Sequence, residues 1–322
     1  MSFSSEVKNE LSRLVPRKKC CMLAEISGFL RVTGSLRLAG GGKFKIVAST
    51  ENAAIARHYK KLIKEYFDSN AGLEIGESMM PGKARAHGYR YSLTINPDEK
   101  SSQILRETGM MLIKEGNDYF SDGIYPPIVS KKCDKRAYIR GIFLGCGTIS
   151  EPRSGCHMEF IVKHEQLAND LRKLINSFED MSANQTKRKN DCIVYLKKAD
   201  YISDLMSIMG ADDSVLEFEE VRINMGIRRD TQRILNCDSA NMDRTLTASE
   251  EQLEWIKAIK DAGQFSNLPD PLQAVALIRE ERPEASLTEI GEALEPPIKK
   301  PGVSKRFAKL KEFAAMIEVE EN

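Results

Sequence analysis

Apolar and polar positions along this chain change period in a set order, and the order is used twice. Residues 24–36, AEISGFLRVTGSL, carry the apolar spacing of a helix that runs into Gly-x-hydrophobic. Alternation takes over in KFKIVAST, and helical spacing returns in ENAAIARHYKKLIKEYF. A Gly/Pro-rich turn then leads to a strand pair ending in YRYSLTI and a helical SSQILRETGMMLI. The succession restarts at residues 137–149, AYIRGIFLGCGTI, and continues through HMEFIVK, QLANDLRKLINSF, the polar MSANQTKRKND, CIVYLKK and YISDLMSIMG. Each copy predicts helix, two strands, helix, two strands, helix, over about 21–118 and about 134–210. Ala24 and Ala137, Ile26 and Ile139, Gly28 and Gly141, and Gly34 and Gly147 are identical pairs, each 113 residues apart. Small residues at Ala24, Ser27 and Gly28, and at Ala137 and Gly141, predict two helices packed closely at a pseudo-twofold axis. Gly34 and Gly147 stand where a helix turns into a strand, a place expected to use φ > 0.

Past residue 210 the strand signals end, and the remaining segments carry helical spacing interrupted by caps. The expected organisation is an N-terminal helix over 1–20, a duplicated α/β domain over 21–215 and an all-helical domain over 222–322. Ser249 with Gln252 reads as a capping box ahead of Trp255, which falls among Leu253, Ile256 and Ile259 as a core residue. Arg228, Arg229, Arg233 and Arg244 crowd one helix-like run, either to touch phosphate or to line a surface between domains. PDPLQAVALIREERP predicts a helix capped by Asp270 with Pro271 at its first position. EASLTEIGEAL predicts a second, with a capping box from Ser286 and Glu289 and one buried face of Leu287, Ile290 and Leu294. The third, within EPPIKKPGVSKRFAKLKEFAAMI, has Ser304 as its cap or first residue. Its inner stripe is Val303, Phe307, Leu310, Ala314 and Ile317, with Lys305 and Lys309 opposite and Arg306 and Lys311 on the flanks.

Composition changes the picture only where it excludes something. The 322 residues, 41% hydrophobic and 30% charged, can bury a sizeable core, and no run reaches the roughly 18 apolar residues of a membrane span. A soluble cytoplasmic protein is expected. Seven cysteines without Cys-x-x-Cys suit a reducing compartment and argue against a disulfide framework; four scattered histidines argue against a zinc site, so no metal and no cofactor are expected. A net charge of +1 removes overall basicity as an argument for nucleic acid and shifts the question to local patches. Lys299, Lys300, Lys305, Arg306, Lys309 and Lys311 form such a patch, with no acidic residue among them. Three short helices with this patch on the last describe a helix-turn-helix over about 285–318, its third helix entering the major groove of double-stranded DNA. Against it stands an amphipathic helix with an incidental basic face, and EPPIKKPGV is longer than the usual turn of about 3–4 residues. In the duplicated part Lys43, Lys45, Arg90 and Arg188 are candidate strand contacts. Lys43 and Lys45 are expected on one strand face, with Phe44 and Ile46 on the other. That face either tracks phosphate or, with Glu74, Glu77 and Asp191 nearby, is the ordinary solvated side of a sheet.

The two Gly-bearing helices resemble the signature helices of LAGLIDADG homing endonucleases, which lie at the centre of a saddle of antiparallel strands. The resemblance implies an acidic metal ligand just before each helix-terminal glycine. Thr33 and Cys146 occupy those positions, and neither offers the hard anionic oxygen that Mg²⁺ requires, so no catalytic residue is expected. Glu25 and Glu151 are expected to be solvated carboxylates. RILNCDSANMDRT and EASLTEIGEALEPPIKKPGVSKRFAKLKEFA are similar to segments of the WhiA family of bacterial transcription regulators, and that likeness spans essentially the whole chain. It implies an α+β fold, a pseudo-twofold LAGLIDADG-type saddle followed by an all-α helix-turn-helix domain. It also implies a nucleoid-associated regulator without nuclease activity, linked to cell division, chromosome segregation and, in some bacteria, sporulation. Another transcription regulator or RNA polymerase would be its partner. Two alternatives stand beside this reading: a metal-dependent endonuclease with relocated carboxylates, and a division scaffold acting mainly through the saddle.

Overall fold

Residues 2–79 and 87–320 are described by the computed structural model. They divide into two compact units, Met1–Met225 and Gly226–Asn322.

The first unit opens with α1 (Phe3–Leu11), whose Phe3, Val7 and Leu11 are buried at helical spacing in the main core. The first repeat then runs α2 (Lys19–Thr33), β1 (Gly34–Leu38), β2 (Phe44–Thr50), α3 (Ala53–Phe67), β3 (Gly72–Met79), β4 (His87–Ile95) and α4 (Ser101–Glu107). A hairpin follows, β5 (Met111–Lys114) and β6 (Asn117–Phe120). The second repeat runs α5 (Lys132–Cys146), β7 (Gly147–Ile149), β8 (Met158–Val162), α6 (Glu165–Ile175), β9 (Asn184–Arg188), β10 (Asp191–Leu196) and α7 (Ala199–Met209). The sheets have orders β1-β2-β4-β3 and β7-β8-β10-β9, the same antiparallel topology used twice. The expected order of elements is thus present in both copies, with two differences. The SSQILRETGMMLI helix ends at Glu107, and Met111 to Ile113 belong to β5; Gly109, at φ 66°, makes the break. The hairpin turns at Glu115 and Gly116, both at positive φ.

Register explains the core. Ile46 pairs with Ile95 and Ala48 with Leu93 in the first sheet; Phe160 pairs with Val194 and Met158 with Leu196 in the second. Directly opposed residues share a face, so each sheet turns one apolar side inward. Ile26, Phe29 and Leu30 of α2 and Ile139, Ile142 and Phe143 of α5 complete that core.

The central helices α2 and α5 touch backbone to backbone. A Cβ on Gly28 would lie 2.3 Å from the Tyr138 carbonyl oxygen, and one on Gly141 2.2 Å from that of Glu25. The second glycine pair serves a different purpose from the one expected. Gly34 and Gly147 have φ of −74° and −72°, ordinary extended backbone. What excludes a side chain is crowding: a Cβ would meet the Leu30 carbonyl oxygen at 2.4 Å and the Phe143 ring at 2.2 Å, respectively.

The helix α8 (Asp212–Asp261) is continuous, in place of several capped segments, and the division between the compact units falls within it. Its sequence contains no proline and a single glycine, so nothing in it stops helical propagation. Ser249 is therefore no cap: it sits inside α8 and its hydroxyl donates to the Pro283 carbonyl. The second unit adds α9 (Asp270–Glu281), α10 (Leu287–Ala293) and α11 (Lys300–Glu320). Ile256, Ile259, Leu272, Val275, Ile290, Val303, Phe307 and Leu310 are buried together, with Trp255 packed on that core as expected. Among the described residues no helix is long and apolar enough to cross a membrane.

Candidate nucleic-acid interface

The second unit is built around a buried arginine that sequence patterning did not single out. Arg279 of α9 is 1% exposed. It donates to Gln252 Oε1 at 3.0 Å and to the carbonyls of Pro283 and Ala285 at 3.1 and 2.6 Å, and its guanidinium lies over the Phe307 ring. Burial without a carboxylate partner pulls its pKa down from the usual arginine range. One side chain thereby ties α8, α9, the turn before α10, and α11. The signal for it was slight: Arg279 falls on the apolar side of α9, four residues after Val275, where a lone charge is easily assigned to a flank.

The turn into α10 follows the sequence closely. Ser286 accepts from the Glu289 N–H at 3.3 Å, and Glu289 accepts from the Ser286 N–H at 2.7 Å, the reciprocal capping box. Asp270, by contrast, makes no capping hydrogen bond and is the first helical residue of α9, after Pro269. The long connection before α11 folds back on α10 through a 2.9 Å bond from the Ile298 N–H to the Gly291 carbonyl.

On α11, Val303, Phe307, Leu310 and Ala314 are buried as the spacing predicts; the Ile317 side chain lies outside the described residues. The helix begins at Lys300, so Ser304 is an interior residue with an exposed side chain and not a cap. Ser304, Lys305 and Lys309 are exposed on the outer face, and Lys299 and Lys300 are exposed at the helix start. The flanks are partly committed to the fold: Arg306 donates to the Pro271 carbonyl at 3.5 Å, and the Lys311 ammonium rests 5.2 Å above the Trp255 ring. The uncommitted basic groups of α11 and its approach are therefore Lys305 and Lys309 on one strip and Lys299 and Lys300 at the helix start.

The outward sheet faces are less uniform. In the first sheet Arg37 pairs with Lys45, and Arg90 falls on the same side on β4, next to β2, with Glu74 on the edge strand β3 as the acidic exception on that side. Lys43 lies in the turn before β2, so it does not share a strand face with Lys45. In the second sheet Arg188 stands directly opposite Asp191, and Glu159 shares that outward face. Arg85, a further basic residue of the first copy that the sequence offers as a strand contact, lies outside the described residues.

At the ends of the central helices the Thr33 hydroxyl donates to the Phe29 carbonyl at 2.8 Å. Burial pushes the Cys146 thiol up to about 12, against the pull of the Lys8 ammonium and the Ile161 N–H. It is a neutral thiol at pH 7, close enough to Lys8 of α1 for the two to interact electrostatically. Glu151 is exposed. Glu25 is the reverse of the expected solvated carboxylate: it is fully buried, 2.8 Å from His58 Nε2, and accepts from Nε and Nη2 of Arg140 at 2.9 and 2.5 Å. It joins α2 of the first repeat to α5 of the second, and both of its oxygens are engaged by His58 and Arg140.

A duplicated LAGLIDADG-like α/β unit followed by a helix-turn-helix unit defines the class. Residues 19–111 match the WhiA N-terminal LAGLIDADG-like domain, residues 135–228 the WhiA LAGLIDADG-like domain, and residues 231–314 the WhiA C-terminal HTH domain. The chain belongs to the WhiA family. It is 39% identical over 316 residues to the probable cell division protein WhiA of Alkaliphilus metalliredigens, covering 98% of both chains. The protein of the same name from Clostridium botulinum is also 39% identical over 316 residues, with 98% of each chain covered. The crystal structure of full-length WhiA from Thermatoga maritima superimposes with a TM-score of 0.59 at 22% identity, over 98% of this chain and 99% of that one.

Proposed function

We propose that this protein is a sequence-specific DNA-binding transcription regulator acting in cell division, with double-stranded DNA as its ligand and no nuclease activity. The observation that carries the reading is the exposed strip of Ser304, Lys305 and Lys309 on α11, set opposite a fully buried apolar stripe in a unit that matches the WhiA HTH domain. A rigid helix with that division can enter a major groove without unfolding, its lysines meeting phosphates and its hydroxyl and amines meeting base edges. The name shared by the relatives, cell division protein, supports the cellular assignment. Roles in chromosome segregation and sporulation, residence on the nucleoid in the cytoplasm, and a partner such as another regulator or RNA polymerase belong to the same proposal.

The ends of α2 and α5 support a reading without nuclease chemistry. A two-metal phosphodiesterase needs hard anionic oxygens to clamp attacking and leaving groups. Thr33 Oγ1 is spent on a backbone carbonyl, and Cys146 is a protonated sulfur beside a lysine. The test pairs a fluorescence-anisotropy titration against genomic promoter fragments with a plasmid-nicking assay in Mg²⁺ or Mn²⁺. Salt-dependent binding that prefers particular fragments, with plasmid left supercoiled, is the expected result. Metal-dependent nicking would favour the relocated-carboxylate nuclease, and binding without sequence preference would favour the scaffold.

A further inference from the structure

The ends of α2 and α5 opposite Thr33 and Cys146 carry a second constellation. Cys20 and Cys21 are the second and third residues of α2; Cys133 and Asp134 are the second and third of α5. They stand 113 residues apart, the offset of the repeat, so close packing of the two helices brings both pairs to the pseudo-twofold axis. One ligand atom from each of the four residues lies within 4.8 Å of the other three. The Cys20 and Cys21 sulfurs are 4.0 Å apart, and the thiols of Cys21 and Cys133 point at Asp134 Oδ1 from 3.3 and 3.5 Å.

We propose that Cys20, Cys21, Cys133 and Asp134 form a tetrahedral site for a structural zinc ion that staples the two repeats together.

Three features carry this assignment. The first is geometric: a zinc–sulfur bond of about 2.3 Å sets tetrahedral sulfurs about 3.8 Å apart, so the four ligands need to close by less than about 1 Å. The second is the donor set, since three thiolates and one carboxylate suit zinc, whereas Mg²⁺ and Ca²⁺ take oxygen ligands. The third is electrostatic. Asp134 is 2% exposed and its hydrogen-bonding neighbours are thiols, an arrangement that leaves a buried carboxylate without a cation. The first turns of α2 and α5 converge on the cluster, so both helices present their ligands at the same end of the pair. A cavity of about 520 Å³, lined in part by Cys21, Cys133, Arg17 and Arg136, gives the ion a way in from solvent. Binding releases the three thiol protons and forms three Zn–S bonds and one Zn–O bond, with no change in oxidation state. The repeat supplies across two helices what a Cys-x-x-Cys would supply within one loop.

The experiment uses the full chain, stripped with chelator and held reduced, titrated with Zn²⁺ and separately with Co²⁺. One equivalent of zinc, a raised melting midpoint, and a cobalt spectrum with thiolate charge-transfer and tetrahedral d–d bands are the expected results. Cys133→Ser should weaken zinc binding by about a hundredfold or more and abolish the midpoint shift. Cys20→Ser provides the same test at the other half-buried thiol, with circular dichroism confirming that each variant is folded. Cys237→Ser, at an exposed cysteine on α8, should bind as the parent does. The assignment is overturned if the reduced chain takes up no stoichiometric zinc, if the cobalt complex is octahedral, or if both folded serine variants bind as tightly as the parent.

Discussion

Glu25 and Arg140 form a buried ion pair between the two repeats, with the carboxylate fully enclosed and the guanidinium also donating to the Met209 carbonyl at 2.9 Å. Removing one partner leaves the other charged in the core. Arg140→Met or Glu25→Gln should therefore cost about 3–5 kcal/mol in urea unfolding of the first unit. The double replacement Glu25→Leu with Arg140→Met should cost less than the two single changes combined, because neither charge is then orphaned. Additive losses would mean that the residues act independently.

The Gly28 and Gly141 contacts set a sharper steric test. The nearest obstacle to each added Cβ is a backbone carbonyl on the facing helix, which has no rotamer to change. Gly28→Ala should lower stability by at least about 1–3 kcal/mol through overpacking, even though alanine favours a helix. The same change at Gly226, with open space around it on α8, should be neutral or mildly stabilising. Equal melting midpoints for the two alanine variants would contradict the close approach of α2 and α5.

Burial of Cys146 makes a signed prediction about alkaline pH. Its folded pKa of about 12 lies above the ordinary value of 9.0, so the folded state keeps a proton that the unfolded state releases. The resulting contribution to stability is complete below pH 9 and is lost as pH rises toward 12. Chemical unfolding of parent and Cys146→Ala across pH 8 to 11 should give curves that converge as pH rises. Iodoacetamide should label Cys237, which is exposed, well before Cys146 in the native chain. Parallel stability curves would show that the thiol is not held protonated.

What could be read from the sequence was whatever is encoded by period and offset. The change from 3.6 to 2 and back gave both repeats, and the matched glycines gave the helix pair, because backbone contact tolerates few other residues. The Ser286 and Glu289 box was legible because capping is local. Long-range features were not. The continuity of α8 lies in the absence of a breaker, and an isolated Ser249 with Gln252 mimics a cap until Pro283 is placed beside it. Glu25 and Arg279 look like surface charges in one dimension; only the packed structure reveals that each has its partners on another element. The pairing of Cys20 and Cys21 with Cys133 and Asp134 was within reach, since the 113-residue offset that aligns the glycines also aligns these residues.

The division of labour on α11 yields the prediction on which the functional reading depends. Lys305 and Lys309 are exposed and one helical turn apart, so both can meet the same stretch of nucleic acid, while Lys311 is occupied by the Trp255 ring. Replacing Lys305 and Lys309 with alanine should sharply reduce affinity for a preferred DNA fragment. Each lost phosphate contact should flatten the slope of log affinity against log salt by about 0.9. Val303, Phe307 and Leu310 are untouched by these changes, so the circular-dichroism melt should match the parent. Ser304→Ala should leave the salt slope as it was and, if the hydroxyl meets a base edge, relax preference at one position of the site. The comparison is Lys45→Ala with Arg90→Ala on the outward face of the first sheet. Should that pair abolish binding while the α11 pair retains the parental slope and site preference, the sheet face carries the DNA and the assignment to α11 is wrong.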